Sequence, residues 1–102
     1  ENALSCVISL AYYSSQKNYT LHREMPAGKG FADIVFEPNR NCDLPALIVE
    51  LKWGHSAEEA VEQIKQKDYL DCLKNYSGEV LLVGVNYDKE KRHTCRIERA
   101  VI

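Results

Sequence analysis

The sequence has no long apolar run. No stretch approaches the ~20 consecutive apolar residues that a membrane-spanning helix needs, and none has the basic, apolar and small-residue order of a secretory signal. The four cysteines, Cys6, Cys42, Cys72 and Cys95, form no C-x-x-C pair and have no matching histidine spacing. These absences predict a cytoplasmic protein with reduced thiols and argue against a zinc site or a disulfide framework.

The sequence also lacks an excess of basic residues. It has 13 Lys and Arg against 15 Asp and Glu, for a formal net charge of −2. Because phosphate neutralisation supplies much of the affinity of DNA-binding proteins, this balance argues against tight autonomous binding of nucleic acid. It does not exclude an enzyme that acts on nucleic acid, since carboxylates in an active site add to the negative total.

No repeat, linker or low-complexity segment divides the 102 residues. A chain of this size buries roughly two-thirds of the surface that it exposes when unfolded, which suffices for one core. Residues 1–102 are therefore expected to form a single domain. The sequence begins at Glu1 and not at Met, which predicts that it is a piece of a longer chain.

The spacing of apolar residues predicts the order α-β-β-β-α-β-β. One helix is expected over 3–13, and a second begins at a Ser56–Glu59 capping box and ends near 77. The predicted strands are 20–25, 31–37, 45–53, 80–85 and 93–101. Short loops between the first three strands favour an antiparallel meander, and the long helix favours a parallel crossover between the third and fourth. The expected architecture is an α/β fold, with a mixed sheet flanked by helices.

Three charged residues stand out in the second and third predicted strands. Symmetric closure of the loop 38–44 pairs Asp33 directly with Glu50. Opposed residues share a face of the sheet, with Cβ atoms ~5 Å apart, and Lys52 lies on the same face because it is two residues beyond Glu50. A slip of one residue would separate the three side chains.

Opposed carboxylates repel each other unless a cation joins them. Mg²⁺ is a suitable cation, because it binds one or two carboxylates together with water and a substrate phosphate. Such an ion lowers the pKa of a bound water and neutralises charge on the phosphate, while Lys52 stabilises the transition state or positions the water. This pattern predicts phosphodiester hydrolysis at Asp33, Glu50 and Lys52.

With Asp33 followed by Glu50-Leu51-Lys52 after an apolar strand, the sequence resembles the PD-(D/E)XK nuclease-like superfamily. It resembles more closely the nuclease-like C-terminal domain found behind an AAA-ATPase-like domain in bacterial proteins. The segments that carry this resemblance are 26–36, 48–53 and 82–87. Ala32 stands where the superfamily name has proline, a position that varies widely.

The resemblance implies a restriction-endonuclease-like fold and a nuclease dependent on Mg²⁺ or Mn²⁺. Asp33 and Glu50 would bind the metal, and Lys52 would complete the catalytic set. Two accessory positions follow more loosely, Glu1 on the first helix and Gln63 on the crossover helix. The implied partners are nucleic acid, with DNA favoured, an AAA-ATPase-like domain in the same longer chain, and a second copy of the chain.

Two other functions remain open at this point. The fold can serve as a non-catalytic module that binds nucleic acid or the ATPase-like domain, as the acidic net charge suggests. Alternatively, Glu50 and Lys52 form an ion pair in a purely structural domain. Two neighbouring residues are not assigned to the site: Trp53 is expected to pack under the crossover helix and not to stack on a base, and Glu24 is expected to be solvated on an edge strand.

Overall fold

The computed structural model describes residues 13, 17–27, 30–39, 43–66, 73, 76–90 and 92–101. These residues include one mixed sheet, the helix that connects two of its strands, and the helical residue Tyr13. The elements are β1 (Tyr19–Ala27), β2 (Gly30–Pro38), β3 (Ala46–Trp53), α1 (Ala57–Gln66), β4 (Glu79–Tyr87) and β5 (His93–Val101). The expectation of an α/β fold with a mixed sheet is confirmed, whereas the predicted helix over 3–13 lies outside the described residues except for Tyr13.

The strands lie side by side in the order of the chain, β1-β2-β3-β4-β5. β3 and β4 are parallel, and every other neighbouring pair is antiparallel. The predicted meander and the predicted parallel pair are therefore both present. Parallel strands need a long connection, and the chain between β3 and β4 contains α1.

Each face of the sheet carries its own apolar core. On the face that α1 covers, the buried residues are Val35, Ala46, Ile48, Val61, Ile64, Leu73, Val80 and Leu82. On the opposite face they are Leu47, Val49, Leu81, Val83 and Cys95, with Tyr13 and Tyr19 packed against them. Because β3 and β4 are buried on both faces, their sequences read as nearly continuous apolar runs.

The helix α1 begins as the sequence predicts. The Glu59 backbone N–H donates to Ser56 Oγ at 3.0 Å, which satisfies one of the free amides of the first turn. Its buried residues, Ala57, Ala60, Val61 and Ile64, recur at helical spacing and face the sheet. The predicted continuation beyond Gln66 falls largely outside the described residues. In the described part of the chain, no helix has the length and apolar character needed to span a membrane.

Gly84 sets the distance between α1 and the sheet. A Cβ atom at this position would lie 2.3 Å from the Ala57 carbonyl oxygen and 2.9 Å from the Val61 nitrogen. The first turn of α1 therefore rests directly on the backbone of β4. Gly84 is also the β4 residue that pairs with Glu50, so the helix begins next to a residue of the candidate site.

Cys95 corrects one prediction. Its side chain is buried and disulfide-bonded. The prediction of reduced thiols was wrong for this residue, because spacing along the chain does not show which cysteines the fold brings within bonding distance. The other three, Cys6, Cys42 and Cys72, lie outside the described residues, and the cytoplasmic location stays a prediction.

Candidate active site

β2 and β3 pair in the predicted register. The observed pairs are Ile34–Val49, Val35–Ile48 and Phe36–Leu47. All three follow from symmetric closure of the loop between the strands. Asp33 and Glu50 occupy the next step of this register, at the point where regular pairing of β2 with β3 ends. Val35 and Ile48 lie on the face that α1 covers, and the alternation of side chains places Asp33 and Glu50 on the same face.

Asp33 is attached to β3 through its side chain. Its Oδ2 accepts a hydrogen bond from the Leu51 backbone N–H at 2.8 Å. If the pairing of β2 with β3 continued, the Leu51 amide would face the β2 backbone at Ala32. The Asp33 carboxylate takes the place of that backbone acceptor. The carboxylate of Asp33 consequently lies against the β3 residue that separates Glu50 from Lys52.

Glu50 is a buried carboxylate, with only 3% of its surface exposed. Its neighbour on β4 is Gly84, and the first turn of α1 fills the space above that glycine. Burial of an ionised group is costly unless hydrogen bonds, a charge partner or a metal ion compensate it. Among the described residues, no buried side-chain nitrogen or oxygen lacks a hydrogen-bond partner, so the surroundings hold this carboxylate in a defined position.

Lys52 is half-buried and lies opposite Asn86 on β4. Within the described ranges no carboxylate comes within salt-bridge distance of its amino group. The ion pair between Glu50 and Lys52 that a purely structural domain would use is therefore not formed. The ammonium group remains available to an anion from outside the chain.

The two accessory residues are not joined to this group. Gln63 is half-buried on α1, and in the described part of the chain it makes no side-chain hydrogen bond to Asp33, Glu50 or Lys52. Glu1 lies outside the described residues. The roles assigned to both stay predictions.

The donors at the site fit a magnesium-type ion. Across the described residues, no three His, Cys, Asp or Glu side chains are grouped to hold a metal. Continuing the observed register by one step sets two carboxylates, Asp33 and Glu50, opposite each other. Two carboxylates do not make a closed structural zinc site, but they suit Mg²⁺ or Mn²⁺, whose remaining positions are taken by water and phosphate.

The sequence profile of the PD-(D/E)XK nuclease superfamily matches residues 1–97. The chain belongs to this superfamily. Membership supports a restriction-endonuclease-like α/β fold and a nuclease-like function, and nucleases of the superfamily typically use divalent metal ions. No match was found among curated proteins or among solved structures.

Asn86 is a residue of this PD-(D/E)XK domain that sequence reasoning missed. It is buried, and its side-chain Oδ1 accepts a hydrogen bond from the His55 backbone N–H at 2.9 Å. This bond fixes the turn that leads from β3 into α1, directly after Lys52. The only sequence signal was a polar residue near the end of an otherwise apolar strand.

Trp53 does not pack under α1, so that prediction was wrong. The side chain is 66% exposed, and its ring stacks on Tyr87 with centroids 6.0 Å apart and planes inclined by 9°. Alternation correctly placed Trp53 on the face opposite to Lys52. However, α1 covers the face of Glu50 and Lys52, which leaves Trp53 on the side without this helix.

Glu24 is exposed, as expected, but its backbone is unusual. Its φ of 52° is uncommon for a residue other than glycine and marks local strain. It lies between the pairs Arg23–Ile34 and Met25–Ala32, which places it next to Asp33 in the sheet. The sequence offered no signal for this conformation.

Proposed function

We propose that this domain is a metal-dependent nuclease that hydrolyses phosphodiester bonds of nucleic acid, with DNA favoured. The observation that carries the proposal is the hydrogen bond from the Leu51 N–H to Asp33 Oδ2. It holds one carboxylate beside the segment Glu50-Leu51-Lys52, which bears the second carboxylate and the cation. Membership of the PD-(D/E)XK superfamily supports the same reaction.

Asp33 and Glu50 would hold Mg²⁺ or Mn²⁺. When bound, such an ion supplies a water of lowered pKa and neutralises charge on the phosphate. The Leu51 amide orients the Asp33 carboxylate before the ion arrives, and burial restricts the rotamers of Glu50. Such preorganisation lowers the cost of assembling the site.

Lys52 would bind the scissile phosphate. Its amino group has no salt-bridge partner in the described part of the chain. A positive charge beside the phosphate is worth more in the transition state than in the ground state, because negative charge grows there during attack by water. Lys52 is therefore assigned to transition-state stabilisation.

The cellular setting is part of the same proposal and rests on sequence resemblance. The domain would be a single unit over 1–102, joined to an AAA-ATPase-like domain in a longer cytoplasmic chain. Glu1 and Gln63 would be accessory residues of the site. Two copies would act together where both strands of a duplex are cut.

A cleavage assay tests the reaction directly. End-labelled single-stranded and duplex DNA and RNA are incubated with the chain in Mg²⁺, in Mn²⁺ and in EDTA. We expect metal-dependent cleavage that falls about 100-fold or more in Asp33→Asn, Glu50→Gln and Lys52→Met, the scale of losing one electrostatic contact to the transition state. The control is Asp43→Asn, which alters an exposed carboxylate outside the strands and should leave the rate unchanged. Equal rates in all variants, or undiminished cleavage in EDTA, contradict the proposal.

The second candidate is a non-catalytic module that binds nucleic acid or an ATPase-like domain. The net charge of −2 favours it, because the chain lacks the basic excess of most nucleic-acid enzymes. Calorimetric titration with Mg²⁺ and Mn²⁺ separates the two. Binding that Asp33→Asn abolishes supports the nuclease, whereas no binding, even beside an oligonucleotide, supports the module.

A further inference from the structure

Three aromatic rings lie in a row at the edge where β3 and β4 end and β5 begins. Trp53 pairs with Tyr87, and Tyr87 pairs with His93. The rings of Trp53 and Tyr87 are stacked with centroids 6.0 Å apart, and those of Tyr87 and His93 are stacked with centroids 5.5 Å apart. Parallel stacking across three strands holds the indole ring upright on the sheet.

Among the described residues, a ring stacks on only one face of the Trp53 indole. Tyr87 covers the face towards β4. On the other side the neighbouring strand is β2, whose pairing with β3 ends at Ile34–Val49. No second ring stacks on Trp53 within the described ranges, which agrees with its 66% exposure. The unstacked face is therefore on the side of β2, the strand that carries Asp33.

The same edge contains an open pocket of about 480 Å³. Its lining is almost wholly apolar, and it consists of Leu51, Lys52, Trp53, Val85 and Tyr87. Binding pockets for small molecules typically measure ~300–1,000 Å³. A flat apolar wall complements the face of a planar ring such as a nucleobase.

We propose that Trp53 is a stacking platform for an unpaired base of single-stranded nucleic acid. The proposal rests on the proposed function, because it names the class of substrate for that site. In a duplex, neighbouring bases cover both faces of each base, so the platform selects single strands. Stacking is indifferent to base identity, which agrees with the absence of any base-reading helix in the sequence.

Trp53 provides its own signal, because it is the only tryptophan of the sequence. The chain is titrated in EDTA, which prevents metal-dependent cleavage, with a short single-stranded oligodeoxynucleotide, its duplex, and an abasic oligodeoxynucleotide of equal length. We expect saturable quenching of tryptophan fluorescence by the single strand. The duplex and the abasic strand should quench much less, although the abasic strand carries the same phosphates.

Variants measure the contribution of the ring. By anisotropy of a labelled single strand, Trp53→Ala should weaken binding by about 10-fold or more, within the roughly 5- to 150-fold range of one base–aromatic stack. Trp53→Phe should retain most of the affinity because it keeps a flat ring. The matched control is Val101→Ala, which removes an apolar side chain of 79% exposure from the far end of β5 and should change nothing.

The outcomes separate this inference from the proposed function. Equal quenching by the abasic strand, equal affinity for the duplex, or unchanged binding by Trp53→Ala overturns the platform, even where metal-dependent cleavage persists. Quenching by the single strand supports the platform, even if the unsubstituted chain and Asp33→Asn both fail to cleave nucleic acid. A fluorescence change that depends on protein concentration, without oligonucleotide, assigns the surface to a second copy of the chain and overturns the inference.

Discussion

Asp33 has a structural role that can be separated from its proposed role as a metal ligand. Its side chain accepts the Leu51 amide at 2.8 Å, where β2 stops pairing with β3. Asp33→Ala removes both the hydrogen bond and the charge, whereas Asp33→Asn keeps an acceptor oxygen and removes only the charge. Comparison of the two variants therefore divides the two roles.

The expected size follows from the kind of hydrogen bond. Bonds to charged groups contribute about 1.5–3 kcal/mol to stability, and the half-buried position of Asp33 favours the lower end. We expect Asp33→Ala to lower the free energy of unfolding by about 1.5 kcal/mol. Asp33→Asn should lose less than about 1 kcal/mol, because a neutral bond has roughly half the strength of a charged one. For a domain of this size, 1 kcal/mol corresponds to about 4–8 °C in Tm.

The assay is urea unfolding followed by far-ultraviolet circular dichroism, in EDTA and in Mg²⁺. In EDTA only the hydrogen bond distinguishes the variants. In Mg²⁺ the unsubstituted chain should gain stability, by about 2.7 kcal/mol when the ion is at 100 times its Kd, and neither variant should gain as much. Asp43→Ala is the control for the loss of an exposed carboxylate.

Two results would refute this reasoning. If Asp33→Ala is as stable as Asp33→Asn in EDTA, the contact with Leu51 does not stabilise the fold. If Mg²⁺ stabilises Asp33→Ala as strongly as the unsubstituted chain, the ion does not bind through Asp33.

Two further predictions concern the packing of α1. Gly84→Ala should lower the free energy of unfolding by about 1–3 kcal/mol, because its Cβ would lie 2.3 Å from the Ala57 carbonyl oxygen; a urea midpoint equal to that of Val101→Ala would show that the helix yields easily. Ser56→Ala should cost about 1 kcal/mol through loss of the bond to the Glu59 amide. Ser56→Asp should retain that stability, and equal losses in both variants would contradict capping.

The register of β2 and β3 could be predicted because the loop between them closes symmetrically. That one step placed Asp33 opposite Glu50. The predicted register did not show that the Asp33 side chain replaces a backbone acceptor of the Leu51 amide. The point at which β2 stops pairing with β3 depends on the whole sheet. The contact between α1 and β4 at Gly84 could also be predicted in principle, because a lone glycine in a strand suggests close approach of another backbone.

Two predictions were wrong because they depend on contacts between elements that are distant in the sequence. The alternation of side chains correctly separated Trp53 from Lys52, but a strand pattern does not say which face the crossover helix covers. Local spacing likewise gave no sign of the disulfide bond at Cys95, because bonding depends on contact through space. In both cases the missing information was tertiary.

The pairing of β2 is unequal on its two sides. With β1 it is paired from Tyr19–Pro38 to Ala27–Gly30, whereas with β3 it is paired only from Ile34–Val49 to Phe36–Leu47. Beyond Ile34 the β1–β2 hairpin is therefore joined to β3 through the Asp33 side chain and not through regular backbone pairing. An ion held by Asp33 and Glu50 would add a second connection between the hairpin and β3. Hydrogen exchange at the Leu51 amide would measure how strongly the metal stabilises this connection.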